Sequence, residues 1–424
     1  MRLVLTHIAI FIATLTFAQD AAQSITLDEV MKRAGAESGV VKEFQALYEV
    51  AKAEQQVAGQ WWIPDLYLGV RYHQLDGAAM NGNGEFFRNV DRENFWAGAG
   101  LNVQWDLAQG IYGSKSADLG SESMMFRAQD QKNRAVLSAV EAYLDLSSAQ
   151  SRVALLEDME DESGKLLEQI RLQHEGGFLY ESEYLLAKAN HNRNKLNLRQ
   201  AEKEMAQASD ELIFLIHHDA QALRASDEVL AEVEFVIDLS ADASAEIHPL
   251  KKSMLAQYES AKAEKDEKTK GLLLPTVGIG NHNGLFGEPV TDLDFTYAIN
   301  AAITWRIPLA DLFGSGEAKV HQQRMALCDV YMENFNFETK RAVSSARNVW
   351  RFSRDQLKLA RESMDLTREA WLQSIQRQQL RTAEPYEVYQ AQQFYMQSQI
   401  DYYQAVVDFN SAQYRYYVAV GNSF

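Results

Sequence analysis

From Phe295 to Trp305 the large apolar side chains fall on every second residue: Phe295, Tyr297, Ile299, Ala301, Ile303 and Trp305. Thr296, Ala298, Asn300, Ala302 and Thr304 stand between them. A period of two is that of a β-strand with one apolar face and one small or polar face. Three other stretches repeat it. Leu66, Leu68, Val70 and Tyr72 alternate with Tyr67, Gly69, Arg71 and His73. Phe95, Ala97, Ala99, Leu101, Val103 and Trp105 alternate with Asn94, Trp96, Gly98, Gly100, Asn102 and Gln104. The glycine-rich PTVGIGNHNGLFG holds the pattern least well. Strands are therefore expected over about 64–76, 93–107, 275–286 and 294–309, joined in pairs by Gly/Asn-rich loops.

Elsewhere the period is helical. Val136, Val140, Tyr143 and Ser147, then Leu155, Met159, Leu166 and Ile170, form one stripe on an otherwise charged circumference. Long helices are predicted over about 114–174 and 316–378, with return helices over 182–216 and 385–420. The turns fall at HEGGFLYESEY and QQLRTAEPYEV. Gly176 and Gly177 suit a helix C-terminus, while the second turn has no glycine. A helix of about 60 residues is on the order of 90 Å long. Hairpins of that length, 114–216 and 316–420, are too long for one globular core.

The elements recur in the same order. AKAEQQVAGQWWIPDLYLGV from Ala51 parallels AKAEKDEKTKGLLLPTVGIG from Ala261. GAGLNVQWDLAQG from Gly98 parallels NAAITWRIPLADLFGSG from Asn300, each with a tryptophan, Trp105 or Trp305, at the end of its strand. Two internal repeats follow, about 24–218 and 245–421, each reading helix, strand, strand, long helix, helix. Pro64 and Pro275 open strands, Pro249 opens the second copy, and Pro385 restarts a helix in its first turn.

Strands of about ten residues with one apolar face and aromatics near their ends carry the pattern of an outer-membrane barrel. In lipid every backbone polar group must be paired, so such a sheet closes on itself. Four strands cannot close, whereas three copies would supply twelve (3 × 4) around a cyclic axis. Ile299, Ile303, Trp305 and Val103 would then face lipid, and Asn300, Thr304, Asn102 and Gln104 the lumen. The competing reading is a soluble protein whose four strands form a small sheet against helices.

Charge narrows the partners. The chain of 424 residues has a formal net charge of −18, which argues against nucleic acid. Its one cysteine, Cys328, excludes an intrachain disulfide and a Cys-rich metal site. Residues 1–18 read as a cleaved export signal, with Arg2 before an apolar run and Ala18 at the cleavage point; the alternative is an uncleaved anchor. No later window is apolar for the length of a membrane-spanning helix.

The whole pattern resembles the outer membrane efflux protein family, the TolC-like exit ducts. The carriers are the duplicated strand pairs, VQWDLAQG and ITWRIPLADLFGSG, the tips GFLYESEYLLAKA and TAEPYEVYQAQ, and the openings ITLDEVMKRA and HPLKKSMLAQYESAKAE. The resemblance implies a mostly α chain with a membrane β-barrel: a homotrimer with a twelve-stranded β-barrel continued by a long α-helical barrel. It implies residence in the outer membrane of a Gram-negative-type cell, extension into the periplasm, and contact with outer-membrane lipid. It also implies a periplasmic adaptor and an inner-membrane RND or ABC transporter as partners, with drugs, metals or polypeptides as cargo. Matching EPYEVYQAQ to the family's acidic aperture helix makes Glu387 the main gate candidate and Gln390 the next, with Arg381 and Glu384 as further gate candidates nearby that could equally make the interhelical ion pairs that hold the tip closed. Gly177, Ser182, Thr382 and Pro385 mark the tips that would meet the adaptor. AESGVV in the first repeat lacks the Asn-Pro often found near the family's repeat start.

Enzymatic signatures are missing from the sequence. The nine histidines form no H-E-x-x-H pattern, adjacent His217 and His218 diverge on a helix, and no G-x-S-x-G, Walker or dinucleotide glycine pattern occurs. No cofactor or metal is expected. The functional alternatives to a duct are a coiled-coil scaffold without a pore and, more remotely, an envelope hydrolase.

Overall fold

The computed structural model describes residues 22–226, 230–233, 248–288, 292–306, 316–380 and 382–424. The expected export signal lies outside them, as do Arg381 and Pro308. In chain order the elements are β1 (Gln23–Ile25), α1 (Leu27–Ala36), α2 (Gly39–Gly59), β2 (Asp65–Met80), β3 (Phe86–Asp106), α3 (Ser114–Glu175) and α4 (Glu181–Ile216). After β4 (Leu223–Ala225) come α5 (Pro249–Thr269), β5 (Thr276–Glu288), β6 (Asp292–Thr304), α6 (Gly316–Gln379) and α7 (Pro385–Ala419).

The helices form two long antiparallel hairpins, α3 with α4 and α6 with α7, with α2 and α5 packed along their upper ends. Val136, Val140, Tyr143, Ser147, Leu155, Met159 and Ile170 of the α3 stripe are buried, and Leu166 is half-buried. The largest core lies midway along the hairpins, where α1 and the parallel pair β1–β4 wrap round them. Val30, Val140, Leu146, Ile216, Leu223, Val406 and Phe409 meet there. Neither three-residue strand is long enough to leave a periodic trace in the sequence.

α5, where the second repeat is expected to open, starts on a cap. His248 Nδ1 accepts from the Leu250 N–H at 3.2 Å and Pro249 takes the first helical position of α5. This is the arrangement that satisfies orphan donors at a helix start.

The four long strands make one antiparallel sheet in the order β2-β3-β5-β6, open at both edges. Its register runs in phase with the alternation. Leu66 opposes Leu101, Leu101 opposes Asn281, and Asn281 opposes Ile299, so the apolar sets of β2, β3 and β6 share one face. Asn102, Gly280 and Asn300 lie in one row on the other face. Asn281 and Asn283 interrupt the apolar face on β5 and bond to each other at 3.0 Å. This is where the sequence pattern is weakest.

Two features depart from expectation. β3 begins at Phe86, and the β2–β3 ribbon rises well beyond β5, whose pairing with β3 starts at Phe95. β6 ends at Thr304, so Trp305 follows the strand. The two strand-ending tryptophans nevertheless make matching bonds. Trp105 Nε1 donates to the Trp62 carbonyl at 2.8 Å and Trp305 Nε1 to the Leu273 carbonyl at 3.3 Å. Each acceptor stands two residues before a proline, Pro64 or Pro275, at the joint between helix and strand.

Candidate functional site: hairpin tips and sheet faces

The first tip turns on glycine. Gly177 has φ +75°, a conformation that costs an L side chain, and the turn is tied by Gly176 N to Leu172 O at 3.0 Å and Phe178 N to Gln173 O at 2.9 Å. His174 stacks on Tyr184 with ring centroids 5.6 Å apart and its Nδ1 lies 3.2 Å from the Leu179 carbonyl. Glu183 caps α4 by accepting from the Tyr180 N–H at 2.9 Å. Ser182 is exposed beside it.

The second tip is held by Arg377 instead. Its carbonyl accepts from the Thr382 N–H at 2.8 Å and the Thr382 hydroxyl at 3.0 Å. Its guanidinium donates to the Thr382 carbonyl at 3.3 Å and lies 3.2 Å from Glu387 Oε2. Side-chain bonds thus do the work of the missing glycine. Glu387 sits in the first turn of α7, where the helix dipole favours a carboxylate. Gln390, one turn on, is exposed, and both border a shallow groove with Thr367, Ser374, Ala391 and Phe394. Glu384 is the N-cap of α7 and lines a cleft between the two tips with Gln173, Glu183 and Gln378. Among the described residues an ion pair at this tip joins Arg377 to Glu387; Arg381 lies outside them. Pro385 is buried, so of the four tip residues it offers the least surface, whereas Phe178, Tyr180, Leu380 and Tyr386 stand exposed and escaped the sequence reading.

Above the tips a polar node ties three helices. Asn190 of α4 donates to Gln392 of α7 at 3.2 Å, and the Met159 carbonyl of α3 accepts from Gln392 at 3.4 Å and from Asn194 of α4 at 3.3 Å. Nearby, Ser163, His191 and Glu160 stand in a row, with Ser163 Oγ 3.0 Å from His191 Nδ1 and His191 Nε2 3.5 Å from Glu160 Oε1. This resembles a hydrolytic triad only in composition. Ser163 is buried in mid-helix and its hydroxyl donates to the Glu160 carbonyl at 2.9 Å, so the oxygen is neither open to a substrate nor activated by a base. Gly164 lies beneath the ring, where a Cβ would meet His191 Cε1 at 3.4 Å, an ordinary contact.

On the sheet, Ile299, Ile303 and Val103 share the apolar face, and Asn300, Thr304, Asn102 and Gln104 the opposite one. Leu68, Val70, Phe295, Ile299 and Ile303 are all more than 59% exposed in the single chain. So large a continuous apolar surface marks an interaction face. Among the described residues no cluster of three metal-ligating side chains occurs, and no helix is long and apolar enough to cross a membrane.

No protein-family model and no curated protein sequence matches the chain. Solved structures do. The Campylobacter jejuni CmeC outer membrane channel superposes with a TM-score of 0.78 at 15% identity, over 99% of this chain and 93% of that one. The open-state MtrE outer membrane channel of Neisseria gonorrhoeae gives 0.79 at 14% identity, over 93% and 89%. The outer membrane protein VceC of Vibrio cholerae gives 0.75 at 12%, over 94% and 96%. The fold is that of the TolC-like outer membrane efflux channels. At these identities the likeness is one of architecture, and it covers both the sheet and the hairpins of the TolC-like fold.

Proposed function

We propose that the protein is one third of a passive exit duct. Three copies would close twelve strands into an outer-membrane β-barrel, and their hairpins would continue it as an α-helical barrel across the periplasm. The observation that carries this reading is the open sheet, whose two free edges and exposed apolar face are both unsatisfied in one chain. Lipid satisfies the face, and neighbouring copies satisfy the edges, since unpaired backbone is not tolerated in a bilayer. The similarity to outer membrane channels supports the same conclusion.

Energy for export would come from an inner-membrane RND or ABC transporter through a periplasmic adaptor. The exposed Phe178, Tyr180, Leu380 and Tyr386 at the tips, with Ser182, are the surface offered to that adaptor. Cargo would be small molecules, metals or polypeptides, chosen by the pump. Glu387 would line the periplasmic aperture with its charge partly answered by Arg377, and Gln390 would lie one turn above. Sedimentation with outer membranes and heat-modifiable migration on gels test the reading. A duct gives both; a coiled-coil scaffold without a pore gives neither.

A further inference from the structure

The small-and-polar face of the sheet carries a cluster of large side chains, Tyr67, His282 and Trp96 with Arg71 and Phe286 in Trp96's own row. Tyr67, Gly100 and His282 form one row across β2, β3 and β5, and the next row is Gly69, Gly98 and Gly284. Trp96 stands in the row beyond. Its indole does not rise from that row but leans back over the glycines. A Cβ on Gly69 would lie 3.5 Å from Trp96 Cζ3, and a Cβ on Gly98 or Gly284 would collide with the facing strand. The indole stacks on His282 with centroids 4.4 Å apart and an interplanar angle of 23°. Tyr67 lies across Gly100, and its Oη is 2.8 Å from His282 Nδ1, a bond that links the first β-hairpin to the second.

This packing leaves Trp96 only 7% exposed and its Nε1–H buried without a partner. Indole N–H groups normally find an acceptor when buried, so the position is stabilised by stacking and burial yet under-satisfied in hydrogen bonding. Standing upright from the wall, the same N–H would reach water. Opposed terms of this kind make a side chain with two states.

We propose that Trp96 is a movable gate on the inner wall of the duct. The indole parks in the glycine trough, where the Tyr67–His282 bond holds the imidazole beneath it, and swings out to narrow the passage. The proposal rests on the duct reading; the parked geometry itself does not.

Tyr67→Phe keeps the ring and removes the bond to His282. In planar-bilayer recordings closures should become about tenfold more frequent, the order expected for one lost hydrogen bond. Adding Trp96→Ala should abolish those closures. Equal closure frequency with and without Tyr67→Phe, or closures that persist in the double variant, overturn the gate. A second readout needs no current. Exchange of the Trp96 indole N–H, followed by NMR in detergent, should be slow in the parent protein and faster in Tyr67→Phe; equal rates overturn the latch. A folded, inserted parent protein that passes no current contradicts the duct reading and the gate with it, while the exchange rates still decide the latch.

Discussion

At the second tip the chain turns without a glycine, and Arg377 explains how, through its backbone and its guanidinium together. The same guanidinium sits on the carboxylate proposed to line the aperture, so on that proposal the two residues should shift ion preference in opposite directions. Glu387→Gln is expected to weaken cation preference and Arg377→Gln to strengthen it, read as reversal potentials under a salt gradient. Stability should change little, by about 1 kcal/mol or less for Glu387→Gln, because both side chains are roughly half exposed and the pair is screened. Unchanged selectivity in Glu387→Gln would remove it from the aperture. His248 gives a pH prediction. Burial, chiefly, holds its pKa below the usual 6.5, with Asp130 opposing and Arg134 assisting. The neutral ring caps α5, so its contribution is intact above pH 6.5 and is lost as the pH falls from there through the folded-state pKa. His248→Asn keeps a capping acceptor that does not titrate, and should flatten the fall of thermal midpoint on acidification. Glu387 was legible in the sequence as a carboxylate on the return helix. Its partner was not, because Arg377 lies ten residues away across a turn, beyond the reach of helical spacing.

Elements were more legible than their ties. The sequence pattern placed the first long helix at 114–174 and the helix runs Ser114–Glu175; the return helix expected at 182–216 runs Glu181–Ile216. Such segments carry many turns of period, whereas β1 and β4 carry three residues each and are held by pairing with one another and by bonds from Leu223 and Ala225 to Ser209 and Gln150. The β2–β3 ribbon was underestimated because its upper part, which includes Met80, Phe86 and Phe87, does not alternate regularly and shifts register between Gly77 and Ala79. At the first tip the glycine signal is tied to a measurable conformation. Gly177→Ala forces a side chain into φ +75° and should cost about 1 kcal/mol, seen as a lower thermal midpoint, while Ser182→Ala on the exposed face should cost far less. Equal effects would mean that the tip does not depend on its left-handed residue.

For the whole molecule, the alternation along β6 carries the membrane assignment. Ile299 and Asn300 are neighbours on opposite faces of one strand. Ile299→Arg places a charge on the apolar face and should block membrane assembly, at about 2–4 kcal/mol per site for a cation near the bilayer midplane. Asn300→Arg should assemble and alter conductance only. Like behaviour of the two variants would contradict the assignment of faces. The closing of the barrel was argued from the sequence by elimination, since four strands cannot close. Among the described residues the sheet of the single chain is open at both edges. The most direct measurement is single-channel current through the purified protein in a planar lipid bilayer. The account predicts small, long-lived, cation-selective conductance steps from a trimeric sample. A well-folded sample that sediments as a single chain and never inserts would contradict it.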